Sequence, residues 1–118
     1  MATPNIVNVA TINAKNAAGA ITTSRAVVVD VTDEKIAKIN TILIANIDGS
    51  NAADVTIEVS IDDGSNYVAI AKTISVPADA TLSFLENPIY LDETDLLAVT
   101  ASANSDLTYF VSYEEITD

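Results

Sequence analysis

The most constraining feature of this chain is a run of alternating apolar and polar residues that ends in a polar turn. At residues 55–61 the sequence Val-Thr-Ile-Glu-Val-Ser-Ile places branched apolar side chains on one face of a strand and polar ones on the other. The sequence Asp-Asp-Gly-Ser-Asn at 62–66 is typical of a turn, and a second apolar run begins at Tyr67. We therefore predict a hairpin whose first strand lies centrally in a sheet, so that a charge at Ile57 or Val59 would unfold the domain.

Similar strand patterns recur along the chain, separated by turn residues at roughly ten-residue spacing. They lie at residues 6–12, 25–31, 36–47, 55–61, 67–74, 81–85, 89–91, 97–101 and 107–113. Within the block 36–47, the spacing of Ile36, Ile39, Leu43 and Ile47 is nearly that of a helix. Two further isoleucines, Ile42 and Ile44, lie between them beside Thr41, and we therefore assign the block as a strand. The pattern predicts an all-β fold, a β-sandwich or jelly roll of about eight antiparallel strands.

The first part of the chain differs in composition from the remainder. Residues 1–24 are rich in Ala, Asn and Thr, with one possible strand at 6–12 and a small-residue stretch at 16–20 that we expect to be a loop or arm. Such an arm is either unstructured or ordered against a neighbouring subunit, and both alternatives stay open. We therefore predict an N-terminal arm over residues 1–24 and a β-sandwich domain over residues 25–118.

The composition argues against catalysis. Among 118 residues there is no histidine, cysteine or tryptophan, which excludes disulfides, thiolate metal sites and the usual nucleophile–base pairs. Asp92, Glu93 and Asp95 are close enough in sequence to suggest a pair of hydrolytic carboxylates, but the four tyrosines and two phenylalanines are too few for a sugar-binding cleft. We predict that the protein is not an enzyme and has no cofactor.

The acidic turn at residues 62–66 raises calcium binding as an alternative. Its clustered oxygen atoms suit a hard cation, but its spacing matches no EF-hand loop. Asx turns at a solvated hairpin tip explain the same residues, and we predict no metal site. Gly49 and Gly64 are expected to supply positive φ angles in their turns.

The charge balance limits the possible partners. Seventeen acidic and five basic residues give a net charge of −12, and no basic residue follows Lys72. Because a phosphate backbone requires clustered cations, we expect no nucleic-acid binding. The acidic surface serves either solubility or docking to a basic partner. We also expect no signal peptide and no membrane span, since the apolar runs are only a few residues long.

Four segments carry a resemblance to a known group of proteins: residues 45–56, 70–82, 88–97 and 111–116. Together they resemble small virion structural proteins of tailed bacteriophages, particularly those of aquatic and cyanobacterial hosts. The resemblance extends from about Ile36 to the last residue of the sequence. Many members of the group carry glycine where Thr94 stands here.

The resemblance implies a structural protein of the virion that acts by surface burial. We expect a capsid decoration, or cement, protein that binds at capsomer junctions of the major capsid protein. It would be a homotrimer, made in the host cytoplasm and carried on the capsid surface. The alternatives are a tail or head-to-tail junction protein and, from a different class, a carbohydrate- or receptor-binding β-sandwich.

A set of apolar and aromatic residues is predicted to lie at an interface. The N-terminal residues of the set would reach a neighbouring subunit, and the aromatic residues would pack in the core or at a contact. The predicted interface residues are Ile6, Val7, Val9, Ile12, Tyr90, Tyr109 and Phe110.

Overall fold

A computed structural model of the protein describes residues 10 to 117. Nine strands and no helix are present within this part of the chain. The strands are β1 (Thr11–Ile21), β2 (Ala26–Asp30), β3 (Lys35–Asn46), β4 (Ala53–Ser60), β5 (Val68–Val76), β6 (Thr81–Ser83), β7 (Ile89–Leu91), β8 (Leu96–Ala101) and β9 (Leu107–Thr117). The predicted all-β class is confirmed.

The strands form two antiparallel sheets. The first sheet has the order β1-β9-β3-β6, and the short strand β7 also pairs with β3. Strands β6 and β7 share one edge of β3, because β6 pairs with residues 43–45 and β7 with residues 37–39. The second sheet has the order β2-β8-β4-β5. As predicted, the strand that contains Ile57 lies inside its sheet, between β8 and β5.

The two sheets enclose one apolar core. Inward-facing residues of both sheets alternate with outward-facing ones, which is the arrangement expected of a β-sandwich. Large apolar side chains with no exposed surface come from six strands: Ile21, Ile39, Ile42, Ile44, Val55, Ile57, Val76, Leu97, Val99, Leu107 and Val111. Branched aliphatic residues thus supply most of the core of a chain that lacks tryptophan.

The block assigned as a strand at 36–47 is a strand in the structure. β3 pairs with β9 along its whole length, and the register shifts between Ile39 and Thr41. The shift places Asn40 in a bulge, so that Ile39 and Ile42 both face the core despite their helical spacing. The partly helical pattern in the sequence therefore reflects a bulged strand.

The small-residue stretch at 16–20 differs from its prediction. It is not a loop: it forms the second half of β1, which pairs with β9 without a break from Thr11 to Ile21. Alanine, asparagine and glycine have low strand propensity, but an eleven-residue ladder to an established neighbour outweighs that preference. Residues 6–9 lie outside the described residues, and the division between an arm and a domain stays a prediction.

The alternation of β4 ends earlier than the sequence suggests. Ile61 was expected in the core, but it follows the end of β4 and is 76% exposed, whereas Ser60 is fully buried. The Ser60 hydroxyl donates to Asp62 Oδ1 at 2.9 Å and accepts the Gly64 N–H at 2.8 Å.

The two glycines predicted to have positive φ angles differ. Gly64 has φ +88°, as predicted for this turn, whereas Gly49 does not have a positive φ. At Gly49 the neighbouring Asp48 carboxylate closes the turn by accepting the Ser50 N–H at 2.8 Å.

Replacing Ser60 by alanine is expected to destabilise the domain by about 1–2 kcal/mol, because the substitution leaves the Gly64 N–H without its acceptor. Urea denaturation of both proteins would measure the loss. The matched control is Ser75→Ala, at an exposed position of the neighbouring strand β5, which should leave the midpoint nearly unchanged. Equal midpoints for wild type and Ser60→Ala would contradict the structural role of this hydroxyl.

Candidate interaction surface

Strand β5 forms one edge of the second sheet and is irregular. Its register with β4 shifts between Val55 and Ile57 and again between Ile57 and Glu58. Thr73 has a positive φ of 46°, and its N–H donates to the side-chain Oγ1 of Thr56 at 3.1 Å. Bulges of this kind restrain uncontrolled edge pairing. The bulges therefore hinder the pairing of β5 with strands of other molecules, whereas its side chains remain exposed.

The apolar side chains of β5 and its surroundings are unusually exposed. Val68 is 64% exposed, Ile70 47% and Ile74 40%. Ile61, just after β4, is 76% exposed, and Tyr90 on β7 is 55% exposed. Exposed apolar side chains are ordinary when they are scattered, but a contiguous group marks a surface that another molecule covers.

Four of these five side chains border a single groove. The groove is open to solvent, has a volume of about 340 Å³ and lies between the edge of the second sheet and strand β7 of the first. Its apolar lining includes Val59, Ile61, Val68, Ile70, Ile89 and Tyr90. The side chain of Asp95 also lines it. We refer to this feature as the β5–β7 groove.

The β7–β8 turn positions Asp95 beside the groove. Thr94 N–H donates to Val31 O at 2.7 Å, and Val31 N–H donates to Asp95 O at 3.1 Å. The buried Glu93 carboxylate accepts the Glu34 N–H at 2.6 Å. These bonds join the β7–β8 turn to the β2–β3 turn. The carboxylates considered for hydrolysis are thus parts of a turn that joins two sheets.

Asp95 is a buried carboxyl group with an altered acidity. Its side chain is 8% exposed, and Oδ2 accepts the Asp92 N–H at 2.8 Å. Burial raises the pKa of Asp95 above its ordinary value; the hydrogen bond from Asp92 opposes this shift, and the negative charge of Asp92 adds to it. Ionised Asp95 is therefore less favourable in the folded chain than in the unfolded chain.

We expect Asp95→Asn to raise the melting temperature at pH 7. Because the folded-state pKa lies above the unfolded one, ionisation of Asp95 lowers stability as the pH rises through the folded pKa. Asparagine keeps an acceptor oxygen for the Asp92 N–H and carries no charge. The gain should vanish below pH 3.8, the ordinary carboxyl pKa, where Asp95 is protonated in both states.

Thermal unfolding of both proteins at neutral and acidic pH would test this expectation. Asp63→Asn is the control, because Asp63 is exposed and its φ of 58° suits asparagine. A gain for Asp95→Asn that is the same at both pH values would contradict the assigned cause.

The acidic turn at 62–66 uses its oxygen atoms internally. Asp62 accepts the Asn66 N–H at 2.8 Å and the Asn66 side-chain amide at 2.9 Å. These bonds, with the Ser60 hydroxyl, hold the pKa of Asp62 below its usual value. The geometry is that of an Asx turn. Between residues 10 and 117 no group of three or more acidic side chains is arranged to hold a metal ion.

The predicted interface residues separate into two faces of the first sheet. Ile12, Tyr90 and Phe110 lie on its outer face. On β9, residues 110, 114 and 116 alternate with the buried Val111 and therefore face outward. Ile12 pairs with residue 116, and Tyr90 pairs with Lys38, which pairs with residue 114. The side chains of Ile12, Tyr90 and Phe110 are 55%, 55% and 41% exposed, respectively. Tyr109 is on the opposite face and packs against the core. A shared interface for the first three stays a prediction, and Ile6, Val7 and Val9 lie outside the described residues.

The sequence analysis did not predict the β5–β7 groove. Of the residues that line it, only Tyr90 was among the predicted interface residues. One signal could have indicated its β5 wall: residues 64–78 contain no carboxylate, although the chain has seventeen. Apolar residues at 67, 68, 70 and 74 in such a neutral stretch favour a contact surface over a solvated one. The other wall belongs to a different sheet, and no local pattern links it to β5.

Comparisons with known proteins support the fold. No family model and no curated protein sequence matches the chain. Among solved structures, the chain is similar to a protein of Bacillus endospore appendages, described as a novel family of disulfide-linked pili. The TM-score is 0.56 at 15% identity, covering 91% of this chain and 87% of that one. At this identity the likeness shows a shared fold only.

A second similarity is weaker. A pentameric capsid protein from metagenomic phage sequences, known from two crystal structures, matches with a TM-score of 0.40 and 14% identity. The match covers 86% of this chain and 60% or 64% of the capsid chains. A TM-score this low supports no argument about function. Separately, no helix among residues 10 to 117 has the length and apolar character to cross a membrane.

Proposed function

We propose that the protein is a structural component of a phage particle, most specifically a homotrimeric decoration protein that binds the major capsid protein on the capsid surface. The observation that carries the proposal is the exposed apolar surface along β5 and the β5–β7 groove. Such a surface fits a protein that works by burying area against a partner. The sequence resemblance to small virion proteins gives the partner its identity.

The chemistry of the chain agrees with an architectural role. The carboxylates that could have formed a catalytic pair hold backbone N–H groups of turns. Assembly cannot use disulfides, because the chain has no cysteine, in contrast to the disulfide-linked pili to which its fold is similar. Contacts would therefore rest on apolar burial and on edge pairing.

Binding to emptied capsids of a tailed phage, followed by co-sedimentation, tests the proposal. We expect saturable binding of the wild-type protein and a loss of roughly tenfold or more for Ile70→Glu, since a charge in the contact must be desolvated. Val27→Glu is a matched control: Val27 is 46% exposed and Ile70 47%, and they lie on opposite edges of the second sheet.

Two results would contradict the proposal. Absence of wild-type binding to capsids would refute decoration, and equal binding by both variants would exclude β5 from the contact. Light scattering gives an independent measurement, because a concentration-independent trimer is expected, whereas a hexamer or larger ring would favour a tail or junction protein.

A further inference from the structure

The β5–β7 groove combines apolar walls with one carboxylate. Val68 and Ile70 form the wall from β5, and Ile89 and Tyr90 form the wall from β7. Asp95 is the acidic residue that lines it. A purely apolar occupant would desolvate this carboxylate without offering it a cation, which is unfavourable. The groove therefore suits a ligand group that is apolar along its length and positive at its end.

The Asp95 carboxylate can accept such a group. Oδ2 receives the Asp92 N–H, and an ionised carboxylate has further lone pairs to offer. Lysine and arginine have long aliphatic stems that pack on apolar surface while the charged head meets an acceptor.

We propose that the β5–β7 groove binds a lysine or arginine side chain presented by a partner protein. This proposal rests on the proposed function, in which the partner is the major capsid protein. It adds the chemistry by which that partner would be recognised. The stem of the basic residue lies between β5 and β7, and its charged head meets Asp95.

The surrounding charge favours a basic partner over a second copy of this chain. The turns next to the groove carry Asp62, Asp63 and Asp92, which add negative potential at this end of the sandwich. A partner with surface lysine or arginine residues complements this potential, and a second copy of a chain with a net charge of −12 complements it less well. Three of the five basic residues of the chain are already in ion pairs: Lys15 and Lys35 with Glu115, and Arg25 with Glu58.

Methyl NMR titration with small probes tests the chemistry of the groove directly. The probes are n-butylguanidinium, 1-butanol and butyrate, which share an aliphatic stem and differ in charge. We expect saturable shifts of the Val68, Ile70 and Ile89 methyl groups, with the cation binding roughly five- to tenfold more tightly than the alcohol, and butyrate binding weakest. In Asp95→Asn the cation and the alcohol should bind alike.

Several outcomes would overturn the proposal. Equal affinities of the wild-type protein for all three probes would show a merely apolar groove, and shifts confined to residues outside it would place the cation elsewhere. An oligomer that dissociates in Asp95→Asn would identify a second copy as the occupant.

Co-sedimentation of Asp95→Asn with emptied capsids separates this proposal from the proposed function. Weaker binding of this variant than of wild type supports both. Unchanged binding retains the capsid function and refutes the groove as the contact. A selective cation titration together with no capsid binding by the wild-type protein retains the groove and refutes the capsid function.

Discussion

Ile57→Asp is expected to abolish the folded state. Ile57 has no exposed surface and lies on β4, the strand between β8 and β5 in the second sheet. An ionised carboxylate at this position has no cation to pair with in the apolar core. Burying it costs several kcal/mol in addition to the lost apolar contacts, and a domain of this size has only about 5–15 kcal/mol of stability. Circular dichroism should show loss of the β spectrum and of a cooperative melt.

A position just beyond the end of the same strand provides the control for this prediction. Ile61→Asp makes the same chemical change four residues later, at a side chain that is 76% exposed, and should leave the domain folded. Ile57→Val supplies a graded variant that stays measurable, with an expected loss of about 1 kcal/mol. A folded Ile57→Asp protein with a normal melting temperature would contradict the assignment of Ile57 to the core.

Asn46→Ala is expected to produce the second largest effect. Asn46 is 3% exposed, at the end of β3. Its side-chain amide donates to Asn51 O and to Val76 O, both at 2.9 Å, and its Oδ1 accepts the Asp48 N–H at 2.8 Å. One buried amide thus connects the β3–β4 turn to the end of β5. Removing it leaves three backbone groups without these partners.

The expected loss for Asn46→Ala is about 3 kcal/mol, or a fall in melting temperature of roughly 10 °C. Differential scanning calorimetry would measure it. Asn104→Ala is the control, because Asn104 also accepts a backbone hydrogen bond, from Thr23 N–H at 3.0 Å, but at an exposed site. Similar losses of stability in both variants would show that the burial of Asn46 does not increase the contribution of its hydrogen bonds to stability.

Alternation along the strands predicted the fold class because each sheet has one buried face. The pattern at 55–61 identified Val55 and Ile57 as core residues, and both are fully buried. It failed at Ser60 and Ile61, where the chain leaves the ladder and a turn hydroxyl, not an apolar contact, accounts for burial. Periodicity describes a strand while it pairs, and it does not show where pairing stops.

The prediction of a loop or arm at residues 16–20 was wrong for a different reason. These residues show little preference for a strand, and the ladder that fixes them comes from β9, at the far end of the sequence. The β5–β7 groove was likewise invisible because its walls belong to two sheets and its carboxylate to a turn between them. Strands can be predicted from local sequence patterns, whereas a surface formed by distant segments depends on how the strands are connected.

The position of β9 has a consequence for the synthesis of the protein. β9 lies between β1 and β3, and it is the last strand of the described chain to leave the ribosome. Until then, β1 has no neighbour in its sheet and the long strand β3 is paired only along its β6 and β7 side. The first sheet therefore cannot be completed before the final strand, and a stalled nascent chain would present two open strand edges to chaperones or to other nascent chains.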